Sequence, residues 1–228
     1  NGGNNTVTAI DTANGNSTAT ISVGSGAYSL MALGTKIYVP NSSDDTVTII
    51  DTENSNATTT IGVGDRPRYI SAIGSKLYVT NNDAGTVTII DTANGNSTTT
   101  VQVGGAPVGI ITLGEKLVIS DTANDSIIIM DTANSNATTS VRVGAAQYYF
   151  TSIDNKIYAA NRGDNTVSII DTENGNATST VGTESSPYNL DAIGSKLYTV
   201  NRFSDSVTVI DTANGNSSST VSVGTNPY

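Results

Sequence analysis

The sequence has no cysteine, no histidine and no tryptophan. Without cysteine there is neither a disulfide framework nor thiolate chemistry. Without histidine the chain lacks the commonest general base and the commonest transition-metal ligand. Calcium is the one metal that the Asp and Asn content would permit, but no loop has the ligand spacing of a calcium motif. We therefore expect no metal site and no cofactor.

Positive charge is also scarce. The 228 residues include ten Lys and Arg against 20 Asp and Glu, so the net charge is −10. Nucleic-acid binding depends on clustered basic residues, so we expect no nucleic-acid partner. No apolar run approaches the ~20 residues of a membrane-spanning helix, and we expect no membrane insertion. The first residue is Asn1 rather than Met, which fits a processed secreted protein or a segment of a longer chain.

What the sequence does contain is a repeat with a period of 40 residues. A three-residue motif, an apolar residue followed by Asp-Thr, occurs six times and begins at Ile10, Ile50, Ile90, Met130, Ile170 and Ile210. In the copy from 68 to 104, four β-branched or alternating segments cover 69–73, 77–80, 86–90 and 98–103. Gly74-Ser75 and Asn94-Gly95 between them are hairpin-turn signals. Four antiparallel strands per 40 residues are typical of one propeller blade.

We therefore predict an all-β chain, a single β-propeller domain over 1–228 built from 40-residue four-stranded blades. The repeats lie near 1–28 (partial), 29–68, 69–108, 109–148, 149–188 and 189–228. The third and fourth strands occur six times and the first two only five times. This predicts six blades with one incomplete; the alternative is five blades and a spare N-terminal hairpin.

The segment Tyr78-Val79-Thr80-Asn81, followed by 86–92 and by Val103-Gly104, resembles the YVTN-type β-propeller repeat of archaeal and bacterial surface-layer proteins. The resemblance covers essentially the whole chain. The segment 118–121 (Val-Ile-Ser-Asp) and Glu184, which replaces the usual glycine, depart from it. It implies an extracellular or cell-surface structural protein.

From these features we expect a self-associating scaffold rather than an enzyme. An incomplete blade leaves backbone donors and acceptors unpaired, which favours pairing with another copy of the chain into a filament or layer. The near-identical blades also argue against catalysis, because an active site normally breaks the symmetry in one or two blades. The Asp of each Ile-Asp-Thr unit and the acidic loop residues are interpreted as turn-forming, bonding their own backbone.

The alternative function is a glycan- or peptide-binding module. Strand alternation places several Tyr and Arg residues on one face of the blades, where they would stack on and hydrogen-bond a ligand. These candidate ligand-binding residues are Arg66, Arg68, Arg162, Arg202, Tyr69, Tyr148 and Tyr188. Packing at the strand ends is the competing interpretation of the tyrosines.

Asn-x-Ser/Thr sequons recur once per repeat at the predicted outer turn. Such sequons are glycosylation acceptors in the surface loops of secreted proteins, so the chain is a candidate glycoprotein. The candidates are Asn16, Asn56, Asn96, Asn136, Asn176, Asn216, Asn4, Asn41 and Asn124.

Overall fold

The computed structural model describes residues 1–145 and 147–227, and for 147 and 148 the backbone alone. Apart from a short 3-10 turn at Gly2–Asn4, all regular structure in this part of the chain is β-strand. No helix among the described residues has the length and apolarity needed to cross a bilayer. The chain divides into two compact units, Asn1–Ile110 and Ile111–Tyr228.

The first unit contains a two-stranded sheet and two four-stranded sheets, and it ends within β11. Its strands are β1 (Thr6–Asp11), β2 (Ser17–Ser22), β3 (Met31–Leu33), β4 (Lys36–Asn41), β5 (Thr46–Asp51), β6 (Ala57–Gly62), β7 (Pro67–Ile73), β8 (Lys76–Asn81), β9 (Thr86–Asp91) and β10 (Ser97–Gln102).

The second unit contains the remaining four-stranded sheets. Its strands are β11 (Pro107–Leu113), which begins in the first unit, β12 (Lys116–Asp121), β13 (Ser126–Asp131), β14 (Ala137–Arg142), β15 (Gln147–Ile153), β16 (Lys156–Asn161), β17 (Thr166–Asp171), β18 (Ala177–Gly182), β19 (Pro187–Ile193), β20 (Lys196–Asn201), β21 (Ser206–Asp211) and β22 (Ser217–Ser222).

Every sheet has its strands in chain order, and the pairs whose register is described are antiparallel: β3 to β6, β7 to β10, β11 to β14, β15 to β18 and β19 to β22, with β1 paired to β2 alone. The predicted six blades with one incomplete are confirmed. In the predicted copy from 68 to 104, the strand bounds agree to within two residues. The first strand carries a register shift between Pro67 and Ile70, which a sequence period cannot reveal.

In the four-stranded sheets the hydrophobic core follows the second and third strands. In β9, Val87 and Ile90 are fully buried, and the same holds for Val167 and Ile170 in β17. The fourth strands, by contrast, are mostly exposed Thr and Ser. Their β-branched threonines keep the strand conformation without needing burial. Each four-stranded sheet thus has a buried middle and a solvated outer strand.

The outer turns use a different pair of left-handed residues than an Asn-Gly hairpin would suggest. In the turn after β9, the positive φ angles belong to Gly95 (61°) and Asn96 (62°), one residue later than Asn94-Gly95. The turn is five residues long, 92–96, rather than two. The sequon asparagine is therefore itself a structural turn residue.

Candidate functional site

The Asp-Thr units tie two turns of each sheet together. Asp51 Oδ1 accepts the backbone N–H of Glu53 at 3.2 Å, and Thr52 Oγ1 donates to the carbonyl of Thr35 at 2.7 Å. Equivalent carboxylate contacts occur at Asp11, Asp91, Asp131, Asp171 and Asp211. The interpretation of these aspartates as turn-forming is confirmed.

Lysines from the neighbouring turn neutralise three of these carboxylates. Lys36 Nζ lies 2.6 Å from Asp51 Oδ2, and Lys196 Nζ lies 3.0 Å from Asp211 Oδ2. Lys156 reaches Asp171 at 3.7 Å. The hydrogen bond from each lysine holds the pKa of Asp51 and Asp211 below the ordinary range. In three of the sheets this face therefore carries structural ion pairs.

The acidic loop residues on the opposite face also bond backbone. Asp44 Oδ2 accepts the N–H of Ser25, and Asp164 Oδ2 accepts the N–H of Ala145 at 2.8 Å. Asp45 accepts the N–H of Arg66 at 2.8 Å. Among the described residues, no group of three or more acidic residues is placed to hold a metal ion.

The last residue of the second strand is a buried asparagine in four of the sheets. Asn81 Nδ2 donates to Thr86 Oγ1 at 3.0 Å and to Thr88 Oγ1 at 2.8 Å. Thr88 Oγ1 in turn accepts the N–H of Gly64, which follows the preceding sheet. The four asparagines, all 0% exposed, are Asn41, Asn81, Asn161 and Asn201. This asparagine clip gives a physical reason for the Asn and the Gly in the repeats that have both residues.

Burial contradicts one of the glycosylation candidates. The side chain of Asn41 is 0% exposed, and its Nδ2 donates to Thr46 and Thr48. A glycan needs an accessible amide nitrogen, so the folded chain cannot carry one at this position. Asn4, Asn16 and Asn124 are exposed, and the other five outer-turn asparagines are half-buried.

In the first unit, Arg68 and Tyr69 both contact Tyr28, and Arg66 does not join them. The Arg68 guanidinium stands 4.5 Å from the centre of the Tyr28 ring, and Tyr28 packs edge-on against Tyr69 at 5.3 Å. Arg66 Nη1 instead pairs with Asp83 Oδ1 at 3.2 Å. Its charge is thus already matched by a carboxylate.

Arg162, Arg202 and Tyr188 lie together in the second unit, with two further aromatic residues. Both guanidinium groups stand 5.6 Å from the centre of the Tyr188 ring. They stand 5.9 and 6.0 Å from the centre of Phe203, which is 67% exposed. Tyr149 packs on Tyr188 at 5.3 Å. We call Arg162, Arg202, Tyr149, Tyr188 and Phe203 the arginine-aromatic cluster. The side chain of Tyr148 is outside the described residues.

Opposing effects act on the pKa of Tyr188 within the cluster. Burial, followed by the neighbouring Tyr149, raises the pKa of the Tyr188 phenol, while the two guanidinium groups act in the opposite direction.

Phe203 was missed by sequence reasoning. The signal was its position, because the corresponding residues of the other repeats are Ser43, Asp83, Ala123 and Gly163, all small or polar.

Comparison with protein-family models and with curated proteins finds no match. Solved structures do match. Streptogramin B lyase is 15% identical, with a TM-score of 0.78 over 98% of this chain and 78% of that one. The chain has the β-propeller fold. Hydrazine synthase of Kuenenia stuttgartiensis is 19% identical (TM-score 0.73, 98% and 82% covered), and a mitotic checkpoint complex chain is 16% identical (TM-score 0.80, 98% and 72% covered).

These propellers correct the expectation that the chain is not an enzyme. A lyase and a synthase are among the structures that share the fold, so regular propeller blades do not exclude catalysis. At such low identity the likeness establishes the fold alone, since one fold hosts many unrelated functions.

Proposed function

We propose that the protein is an extracellular, surface-layer-like structural propeller of the YVTN repeat type that self-associates through its incomplete blade. The observation that carries the proposal is the exposure of Ile10 on β1, whose edge away from β2 pairs with no strand among the described residues. Ile10 on this strand is 61% exposed, whereas its equivalents Ile50, Ile90, Met130, Ile170 and Ile210 are all 0% exposed.

The edge of β1 has the features of a strand-binding surface. In the complete sheets the third strand pairs with the second and fourth strands, but β1 pairs only with β2 within the described chain. A free edge presents unpaired N–H and C=O groups to any strand that can align with it.

A groove of mixed polarity lies beside this edge. It has a volume of about 180 Å³, and its lining includes the apolar Val7, Leu30 and Val39 together with the polar Asn1 and Thr6. Tyr28 and Leu30 on its rim are 47% and 58% exposed. Burying an exposed isoleucine side chain is worth about 2 kcal/mol, so a strand that covered Ile10 and this groove would gain both backbone pairing and apolar burial.

The repeat also supplies a register for the added strand. Asn1 takes the place of the clip asparagine, with Nδ2 donating to Thr6 Oγ1 at 3.3 Å and Thr8 Oγ1 at 2.9 Å. In β8 and β9 the preceding positions pair Lys76 with Asp91 and Leu77 with Ile90. A strand supplied by a second copy would therefore place an apolar side chain against Ile10 and a cation opposite Asp11.

The variant Ile10→Lys tests this proposal. A charge on an edge strand opposes pairing, so we expect the wild-type chain to form filaments or sheets in electron micrographs and larger species in sedimentation velocity, and the variant to remain monomeric. Thr18→Lys is the matched control, because Thr18 lies opposite Ile10 on β2 and is exposed. A wild-type chain that stays monomeric and folded at high concentration contradicts self-association.

Extracellular location and glycosylation are part of the same proposal. Eight sequon asparagines are exposed or half-buried, at turns and loops. Peptide mass spectrometry of native material measures their occupancy, and unmodified Asn at all eight would remove the glycoprotein assignment.

We propose glycan recognition as a second function, located at the arginine-aromatic cluster. The specific observation in its favour is that Phe203 leaves a large ring 67% exposed beside two guanidinium groups. Aromatic rings beside hydrogen-bond donors are suited to ligands that have both an apolar face and polar groups.

A further inference from the structure

The arginine-aromatic cluster holds two positive charges close to a single ring. Arg162 and Arg202 occupy the same position in successive repeats, each directly after a buried clip asparagine. Both guanidinium groups stand 5.6 Å from the Tyr188 ring centre, one from each of two neighbouring sheets of the second unit. The cluster therefore concentrates positive charge in a chain whose net charge is −10.

Hydrogen bonds at Nε fix both side chains. Arg162 Nε donates to Ser186 Oγ at 3.2 Å, and Arg202 Nε donates to Asn226 Oδ1 at 2.8 Å. The Ser186 hydroxyl is neutral, so it orients the Arg162 guanidinium without cancelling its charge. Arginine held in this way loses less conformational freedom when it forms further hydrogen bonds.

Two loop carboxylates of the same sheets accept backbone N–H groups. Asp164 accepts the N–H of Ala145, and Asp205 accepts the N–H of Asn226. No ion pair joins Arg162 to a carboxylate in the part of the chain that the structure describes. In the first unit the contrast is direct, because Asp83, which pairs with Arg66, occupies the repeat position of Phe203. At the arginine-aromatic cluster a phenyl ring replaces that carboxylate.

We propose that the arginine-aromatic cluster binds a uronate unit of an acidic glycan. Guanidinium groups bind carboxylates through paired N–H donors, which matches the sugar acid. The exposed ring of Phe203 provides an apolar surface for the C–H face of the pyranose. This inference rests on the second function proposed above and adds to it the charge class of the ligand.

The experiment is calorimetric titration of the whole chain with an oligogalacturonate trimer and with a neutral galactose trimer. We expect the acidic trimer to bind at least about tenfold more tightly, since its carboxylates accept charge-assisted hydrogen bonds that the neutral trimer cannot form. Arg162→Gln and Phe203→Ser should each weaken binding of the acidic trimer by about tenfold or more, and circular dichroism should show an unchanged fold.

Arg142→Gln is the matched control, because Arg142 is an exposed arginine of the same unit on the outer strand β14. It should leave binding unchanged. Equal affinity for both trimers, with no effect of Arg162→Gln, would overturn the uronate assignment but leave glycan recognition standing. Binding to neither trimer would remove both, and tighter binding of a poly-glutamate peptide would identify an acidic peptide as the ligand instead.

Discussion

At the scale of single residues, the repeat is explained by the asparagine clip. Asn81, at the end of β8, donates hydrogen bonds to two hydroxyls of β9. One of these hydroxyls, that of Thr88, also accepts the backbone N–H of Gly64. Gly64 is needed here because a Cβ at that position would lie 2.8 Å from Asn81 Nδ2. Such a contact is below any normal van der Waals separation, so the Asn and the Gly depend on each other.

A double-mutant cycle tests this dependence. We expect Asn81→Ala to lower the free energy of unfolding by about 2 kcal/mol, because it removes two buried hydrogen bonds and leaves a cavity. Gly64→Ala should destabilise the wild-type chain but cost about 1 kcal/mol less when Asn81 is already Ala, since its two nearest atoms are then gone. Urea denaturation measures all four proteins. Strictly additive effects would show that the two residues act independently.

At the scale of elements, the outer turns have one position where the repeat is inconsistent. Gly15, Gly95, Gly175 and Gly215 have φ near 60°, but Ser55 and Ser135 take the same left-handed conformation, with φ of 50° and 52°. A residue with a side chain pays about 1 to 2 kcal/mol to adopt this conformation. Glycine avoids that cost, and its larger loss of backbone entropy on folding cancels only part of the advantage.

Exchanging these residues tests the cost of the turn. Ser55→Gly should raise the free energy of unfolding by about 0.5 to 1 kcal/mol, and Gly95→Ser should lower it by a similar amount. No heavy atom lies within 4 Å of a Cβ built at Gly95, so the second substitution changes the backbone preference without a clash. Thermal denaturation followed by circular dichroism measures both. Opposite signs would show that side-chain contacts control these turns.

The elements were predictable from the sequence to a greater extent than the site. The 40-residue period and the alternation of β-branched residues predict the strands of the copy from 68 to 104 to within two residues, because both depend on local spacing. The bulge between Pro67 and Ile70 and the left-handed Asn96 depend on three-dimensional fit. Arg162, Arg202 and Tyr188 were predicted by the face on which they lie. Their convergence with Phe203 required coordinates, since it joins side chains of different repeats.

At the scale of the whole molecule, net charge opposes association while apolar burial favours it. Two chains each carrying −10 repel one another, and this repulsion is screened by salt. The stabilisation gained by burying Ile10 is not reduced by salt in this way. Salt should therefore weaken the repulsion between chains more than the apolar contact, and so favour assembly.

We therefore expect self-association to strengthen as ionic strength rises from about 0.01 M to about 0.15 M, over which the Debye length falls from about 30 Å to about 8 Å. Sedimentation velocity at fixed protein concentration measures the effect. The same salt series with Ile10→Lys is the control, because this variant should not pair through the β1 edge. Assembly that dissolves on adding salt would instead indicate contacts between opposite charges.

The asparagine clip also bears on how such a chain can change in evolution. Three clips are complete, and each uses one Asn, one Thr or Ser and one Gly at constant offsets within the 40-residue period. The repeats that contain Asp121 and Glu184 lack one of these residues. An in-frame duplication of a repeat with a complete clip would copy the clip together with its blade. Unequal recombination between such repeats can therefore alter blade number while it preserves this contact.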